Sequence, residues 1–447
     1  MTSNNHTVHI VVIGGSYGGI ACVNKLQHHL PKDVNVAITL VESLDARYHC
    51  VASYRALVQK DFAKNLWIPY TNLFPKNSPH KVLRGTVESI FYDHILLASN
   101  KPMEVVPSDG QHGDTQSDPR RIDFDYLVIA TGSMIPSPAK WRVNSSTEGL
   151  NLMEKIREDI RQSEKIVVIG GGACGVELCG ELKYAFPDKK VTLIHQSANL
   201  VDYPKFPQSF KDETRRYLEK HGVEVILNER ADVEGLTREN SVQKAERTIT
   251  LKGSNRTIQS DLQFFSIGMA VDTGFLSTLR PPPLSNVGAD QETNDEFKVN
   301  TLLDPRTKAI LVRPTLQLDH DGFSNIFAIG DVSNADPVPT CVSAIAAGET
   351  AAKNIIKLIK KEAKVKGGDK NRMELHEEMD GYLCKSWNKL EEYTPTQALM
   401  VLAMNPTGGV SYLPVLGTWF GNLGAWLVKS NDLFSGRFWR EMNMSPP

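Results

Sequence analysis

The chain has 447 residues, enough for two or three domains with cores of their own. Apolar residues make up 41% and charged residues 23%, with 50 basic against 52 acidic side chains, a balance that argues against a protein built to grip phosphate backbones. Six cysteines over this length do not make a disulfide scaffold and point to a reduced, intracellular setting.

In chain order, the polar start MTSNNHTVH carries no apolar signal core, and Thr2 stands where N-myristoylation needs glycine. No run reaches the roughly 18 apolar residues of a membrane span, so a cytoplasmic protein is expected. Next comes VVIGGSYGGIACVNKLQ, read as a strand ending at Ile13, a glycine turn and a helix. Gly14 permits the tight turn, and Gly19 lets the helix pack close to its strand. Backbone N–H groups at the helix start can hold a pyrophosphate. The strand VAITLVES follows and ends at Glu42, placed 23 residues past Gly19, where an acid bonds a ribose hydroxyl pair. Ser16 takes the place of the middle glycine; its Cβ crowds a phosphate, while its hydroxyl can donate to one. The bland alternative is an ordinary tight turn without a ligand.

The segment 100–121 is polar and rich in Asp, Pro and Gly, and reads as a solvated loop or hairpin insertion. FDYLVIATGS is a buried strand ending in Thr131 and Gly132. The opening pattern then repeats in EKIVVIGGGACGVELCGEL, where Gly170, Gly172 and Gly175 give the full G-x-G-x-x-G spacing after a strand at Ile166–Ile169. Two such units read as two dinucleotide-binding domains. The strand KKVTLIHQ places His195 where an acid would favour NADH and repel the 2′-phosphate of NADPH. A histidine repels neither, so use of both coenzymes is expected; a histidine that only satisfies a turn is the other reading. Cys174 and Cys179, five positions apart on a helix, are poorly placed for a disulfide. The remaining cysteines form no ligand-spaced cluster, so no metal is expected. NIFAIGDVSN ends a further buried strand at Gly330 and Asp331, an acid suited to a sugar-alcohol hydroxyl. Lys360 to Glu378 is a charge run, read as a solvated helix end and linker.

These four pieces, in this order, resemble the flavoprotein reductases of the glutathione-reductase-like fold, in the pyridine nucleotide-disulfide oxidoreductase superfamily. VASYRA, DFAKNLWIPY, VTLIHQ and the tail YTPTQALMVLAMNPTGGV…GTWFGNLGAWLVKSNDLF…SPP resemble its apoptosis-inducing-factor-like branch. The fold expected is α/β, with two Rossmann-like domains and a small C-terminal domain. An FAD domain is expected over 1–145 and 265–350, an NAD(P)H domain over 146–264, a charged linker over 351–390 and an apolar, aromatic domain over 391–447.

The resemblance implies FAD on Gly14, Gly15, Ser16, Tyr17 and Gly18, with Arg55 near the flavin, the Val87 backbone at adenine and Asp331 on the ribityl chain. It implies NADH or NADPH on Gly170, Gly172 and Gly175, with Glu177 near the nicotinamide and Lys429 near a quinone-reducing centre. The activity implied is NAD(P)H:quinone oxidoreduction, with hydride passing to FAD N5 and two electrons then going to a lipophilic quinone. Two alternatives remain: a DNA-binding cell-death effector with a structural flavin, which the charge balance disfavours, and a ferredoxin-type reductase, which the apolar tail disfavours. That tail carries Trp419, Phe420, Trp426, Leu427, Phe434, Phe438 and Trp439, broken by glycines. It reads either as a core or homodimer seam or as a face for a quinone tail and a peripheral contact with membranes or lipid droplets.

Overall fold

In the computed structural model, the opening run Val8–Ile13 is a strand buried on both faces, as the apolar sequence VHIVVI requires of a strand covered on each side. The structure describes residues 6–101, 103–106, 120–136, 138–282, 297–365, 390–395, 399–413, 416–418 and 421–447. Cys384, Trp419, Phe420, most of the 100–121 insertion and most of the 360–378 charge run lie outside these. The chain packs as two units, one from Met1–Asp45, Tyr70–Ser133 and Ala270–Thr396, the other from Ala46–Pro69, Met134–Met269 and Gln397–Pro447.

Unit 1 is built on a six-stranded sheet. Its strands lie side by side in the order Ile326–Ala328, Tyr126–Ile129, Val8–Ile13, Val36–Glu42, Lys81–Arg84 and Glu104–Val106. All neighbours run parallel except the last pair. The register Ile13↔Val41 and Ile13↔Ile129 brings three strand ends to one edge. Helix Tyr17–His29 packs on helix Cys341–Val365 at a glycine crossing: a Cβ on Gly348 would lie 2.2 Å from the Gly18 carbonyl oxygen. A three-stranded antiparallel sheet (Val87–Ile90, His94–Leu97, Arg121–Asp123) adds Ile90, Ile95 and Leu97 to a core shared with Ile13, Ile129 and Phe323.

Unit 2 repeats the plan with five strands in the order Val223–Ile226, Lys190–Ile194, Lys165–Ile169, Thr257–Phe265 and Val242–Thr250, the last pair antiparallel. Helices Ser146–Gln162, Ala173–Ala185 and Gln208–Lys220 accompany it. The first is capped by Ser145, whose side chain accepts from the Glu148 N–H.

The division differs from the three domains expected. The tail hairpin Met400–Asn405 and Gly408–Tyr412 packs onto helix Ala173–Ala185, inside unit 2. Gly180 makes this approach: a Cβ there would lie 2.5 Å from Met404 Cβ and 2.6 Å from its carbonyl oxygen. Tyr412 adds an aromatic contact, its ring edge-on to Phe206 at 5.6 Å between centroids. Segment Ala46–Pro69 also joins unit 2 and is tied to the tail. The buried Arg47 donates to Glu441 at 3.0 Å and lies over the Phe438 ring, and His49 Nε2 donates to the Leu433 carbonyl at 2.7 Å. Burial pushes the His49 pKa down to about 3, so this imidazole is neutral.

Candidate functional sites

Each unit opens on a glycine loop of one geometry. Gly14 has φ +101° and Gly170 φ +119°, left-handed backbone that a side chain would strain. A Cβ would also sit 2.4 Å from the Ala130 carbonyl oxygen in the first case and 2.4 Å from that of Ser266 in the second. At the fingerprint's third glycine, a Cβ on Gly19 would lie 1.8 Å from Gly14 O and one on Gly175 1.9 Å from Gly170 O. Only bare backbone fits either turn, which leaves the first N–H groups of helices Tyr17–His29 and Ala173–Ala185 facing out of the loop.

In unit 1, Glu42 ends the second strand. Its Oε2 accepts from the Gly15 N–H at 2.6 Å, while Oε1 accepts from the Ser43 and Leu44 N–H groups at 2.8 and 3.1 Å. The acid expected to meet a ribose therefore also fixes the loop. Tyr70 donates to the Gly15 carbonyl at 2.9 Å, a contact the sequence did not announce. Ser16 is the helix N-cap, yet its hydroxyl makes no capping bond. Thr131 and Gly132 follow the strand Tyr126–Ile129. Asp331 lies in the turn Gly330–Val332 and accepts from Ser133 Oγ at 2.6 Å. Val87 starts its strand, half-buried against the core. These residues fit a flavin dinucleotide: a cradle that no Cβ can share, an uncommitted hydroxyl at a helix start and a carboxylate at a strand end.

In unit 2, His195 holds the place of Glu42. Its Nδ1 accepts from the Gly171 N–H at 3.0 Å, so the proton resides on Nε2. Burial lowers its pKa, which keeps the ring neutral. Glu177 lies on helix Ala173–Ala185, and its Oε1 accepts from Lys429 Nζ at 2.6 Å and from the Ala403 N–H at 2.9 Å. Lys429 stands in the π-helical turn Trp426–Ser430 and donates also to the Val401 carbonyl at 3.1 Å. Both expected catalytic residues are thus brought together by the tail hairpin.

Arg55, expected near the flavin, belongs to unit 2, on helix Ser53–Val58. It is 1% exposed, and its Nε donates to Glu181 Oε1 at 2.6 Å. Glu181 Oε2 is buried with no hydrogen-bond partner among the described residues. Burial raises the Glu181 pKa to about 7, against the opposing pull of Arg55. Glu181 was missed in the sequence. Its signal was there: a second carboxylate four positions after Glu177, one helical turn along a largely apolar helix.

The tail divides. Leu433, Phe438 and Trp439 are buried, whereas Leu423, Trp426 and Leu427 are 52%, 45% and 65% exposed on one helical stretch. Cys174 and Cys179 are free thiols. Among the described residues no cluster of metal-ligating side chains occurs, and no helix is long and apolar enough to cross a membrane.

Two mostly parallel sheets, each led by a glycine loop and closed by a polar side chain at the second strand end, define an oxidoreductase of the two-dinucleotide-fold class. The chain belongs to the pyridine nucleotide-disulphide oxidoreductase family, whose sequence profile matches residues 8–351. Membership implies a flavin and a nicotinamide nucleotide. Over 98% of its length the chain is 28% identical to ferroptosis suppressor protein 1 of Homo sapiens, covering 97% of that protein. It is 29% identical to apoptosis-inducing factor homolog B of Dictyostelium discoideum, covering 99% of it. Among solved structures, the sulfide:quinone oxidoreductase of Aquifex aeolicus superposes with a TM-score of 0.55 at 18% identity, over 79% of this chain and 77% of that one. The water-forming NADH oxidase of Lactobacillus brevis gives a TM-score of 0.52 at 19% identity, over 78% of this chain and 69% of that one.

Proposed function

We propose that the chain is an FAD-dependent NAD(P)H:quinone oxidoreductase, with FAD held by unit 1 and NADH or NADPH by unit 2. The observation that carries this reading is the pair of matched glycine loops, combined with the partly buried Lys429–Glu177 pair at the tail hairpin. Full-length similarity to ferroptosis suppressor protein 1 supports it.

In the loop Gly14, Gly15, Ser16, Tyr17, Gly18 and Gly19, the N–H groups of Ser16, Tyr17 and Gly18 hold the FAD pyrophosphate with the Ser16 hydroxyl, while Gly14 and Gly15, whose N–H groups go to Val41 and Glu42, and Gly19 make the bare turn. Glu42 takes the adenosine ribose, the Val87 backbone the adenine, and Asp331 the ribityl hydroxyls, with Thr131 and Gly132 shaping the strand end. Gly170, Gly172 and Gly175 hold the coenzyme pyrophosphate. FAD, when bound, supplies the two-electron chemistry, taking hydride from NAD(P)H and reducing a quinone. Glu177 orients the nicotinamide end. Its position is fixed by the Ala403 N–H and by Lys429, so it needs no reorganisation during the reaction. Lys429 Nζ carries the positive charge that lowers the energy of a developing quinone oxyanion and can hand it a proton. Exposed Leu423, Trp426 and Leu427 suit the surface of a membrane or lipid droplet, from which a lipophilic quinone is drawn.

The test is an absorption spectrum of the purified protein, bleached anaerobically with NADH and restored by a short-tailed quinone. A colourless protein that refuses added flavin would overturn the proposal. Bleaching without restoration by quinone would overturn the acceptor.

A further inference from the structure

Helix Ala173–Ala185 carries a second carboxylate that the reaction proposed above leaves unused. Glu181 is fully buried one turn after Glu177, on the same helix face. Its Oε1 accepts from Arg55 Nε, while its Oε2 has no hydrogen-bond partner among the described residues, an acceptor that burial makes costly to leave empty. We propose that Glu181 and Tyr217 form a proton-entry route that reloads Lys429 after it has protonated the quinone. The route rests on the quinone reductase reading and names the source of its second proton.

The need for such a source follows from the balance of the reaction. Reduction of a quinone to a quinol takes up two electrons and two protons, and the hydride of NAD(P)H brings both electrons and one proton. One proton per turnover must therefore come from water. When Lys429 gives it, an Nζ–H bond breaks, the quinol O–H bond forms, and a neutral amine is left. The Lys429 side chain is only 12% exposed, and its Nζ is held by Glu177 and the Val401 carbonyl, so an internal donor must restore the charge.

The side chains for this are in place. Asn405 Oδ1 accepts from both the N–H and the hydroxyl of Thr407 at 2.8 Å, which turns its amide nitrogen to donate to Tyr217 Oη at 2.8 Å. Tyr217 is thus an acceptor toward Asn405, and its own hydroxyl proton is uncommitted among the described residues. Burial, together with the nearby Glu181 charge, raises the Tyr217 pKa, so the phenol keeps its proton for transfer. An uncommitted hydroxyl proton and an uncommitted carboxylate oxygen therefore lie within electrostatic reach of each other. Tyr217 is half-buried and stacks at 4.2 Å on the exposed His221, which gives the route an outer mouth.

The charges facing Glu181 are Arg55 from helix Ser53–Val58, Glu177 on its own helix and Lys429 from the tail, while the hairpin strand Met400–Asn405 brings none. Burial outweighs Arg55 and leaves the Glu181 pKa at about 7, so the carboxyl both holds and yields a proton near neutral pH. The Glu181 O–H bond breaks, and the proton crosses the Glu177 carboxylate to the Lys429 amine. Glu181 then takes the Tyr217 hydroxyl proton, and the phenol regains one from water. Each carrier ends as it began.

The test follows reoxidation of the NADH-bleached, flavin-loaded full chain by a short-tailed quinone in stopped flow. In the wild type the rate is expected to fall as pH rises through about 7 and to be slower in D2O. Glu181→Gln and Tyr217→Phe are each expected to slow reoxidation roughly tenfold or more, and Glu181→Asp to recover much of that loss. Bleaching by NADH draws no proton by this route, so it is expected to keep its rate in these variants, which also shows that they are folded. Infrared difference spectra across the same pH range are expected to show a protonated-carboxyl band in the wild type and in Tyr217→Phe that Glu181→Gln lacks. A wild-type reoxidation rate in Glu181→Gln or Tyr217→Phe, or an infrared band that survives Glu181→Gln, overturns the route and leaves the quinone reading standing. Failure of quinone to reoxidise the wild type overturns that reading and the route together.

Discussion

Replacing Arg55 by Met leaves Glu181 buried without its cation. The pair is separated by 2.6 Å, and the two side chains are 1% and 2% exposed, so solvent screens little of the interaction. With an effective dielectric near 20, the gross attraction is about 6 kcal/mol. Desolvation of both groups offsets much of it, and removing one partner of such a pair costs about 3–5 kcal/mol. Without Arg55 the Glu181 pKa rises above its present value of about 7, so the carboxyl either takes a proton or stays charged and unpaired, and at pH 8 Arg55→Met should lose up to about that much stability, the loss growing as pH rises. The double variant Arg55→Met/Glu181→Leu should recover most of the loss, because it leaves no orphaned charge. Urea unfolding of the flavin-loaded protein gives both values from midpoint and slope. A loss below about 1 kcal/mol in the single variant, or losses that simply add in the double variant, would refute the reasoning.

The same carboxyl sets a pH dependence. Its pKa is raised from 4.5 to about 7 on folding, so the stability it contributes is present below the lower value and is lost as pH rises through the upper one. The loss totals about 3 kcal/mol, and Glu181→Gln should flatten that part of the stability curve; an unchanged slope would exclude Glu181 as its source. Lys429→Ala should reduce kcat for quinone by roughly 10²-fold at saturating NADH, and a wild-type rate would remove Lys429 from the chemistry. Gly180→Ala should cost about 1–3 kcal/mol by forcing the tail hairpin off its helix, read from the denaturation midpoint. Steady-state kinetics should show both coenzymes used, and a preference for NADH above roughly 10²-fold would contradict the neutral role of His195.

The glycine loops were legible because their spacing is dictated by backbone clearance, which leaves a fixed signature in the chain. Glu42 and His195 were legible for the same reason, since the strand returns to the loop at a set distance. What the sequence concealed is that both side chains also hold the loop by its second glycine N–H. Arg55 and Glu181 are 126 positions apart, and no local pattern links them. Nor does any periodicity mark Gly180 as the point where a distant hairpin lands. Similarly, segment Ala46–Pro69 has nothing in its composition to set it apart from the unit 1 residues on either side. Long-range packing alone assigns it.

Unit 2 collects its strands and helices from three stretches, and the last, Gln397–Pro447, supplies the hairpin and the lysine that meet Glu177. During synthesis Glu177 must wait, without Lys429 and the Ala403 N–H, until that final stretch leaves the ribosome, whereas the partner of Glu181, Arg55, is already made. Completion of this unit is thus post-translational by construction, and a nascent chain halted before Met400 exposes Glu177 and the Gly180 groove to any passing chaperone.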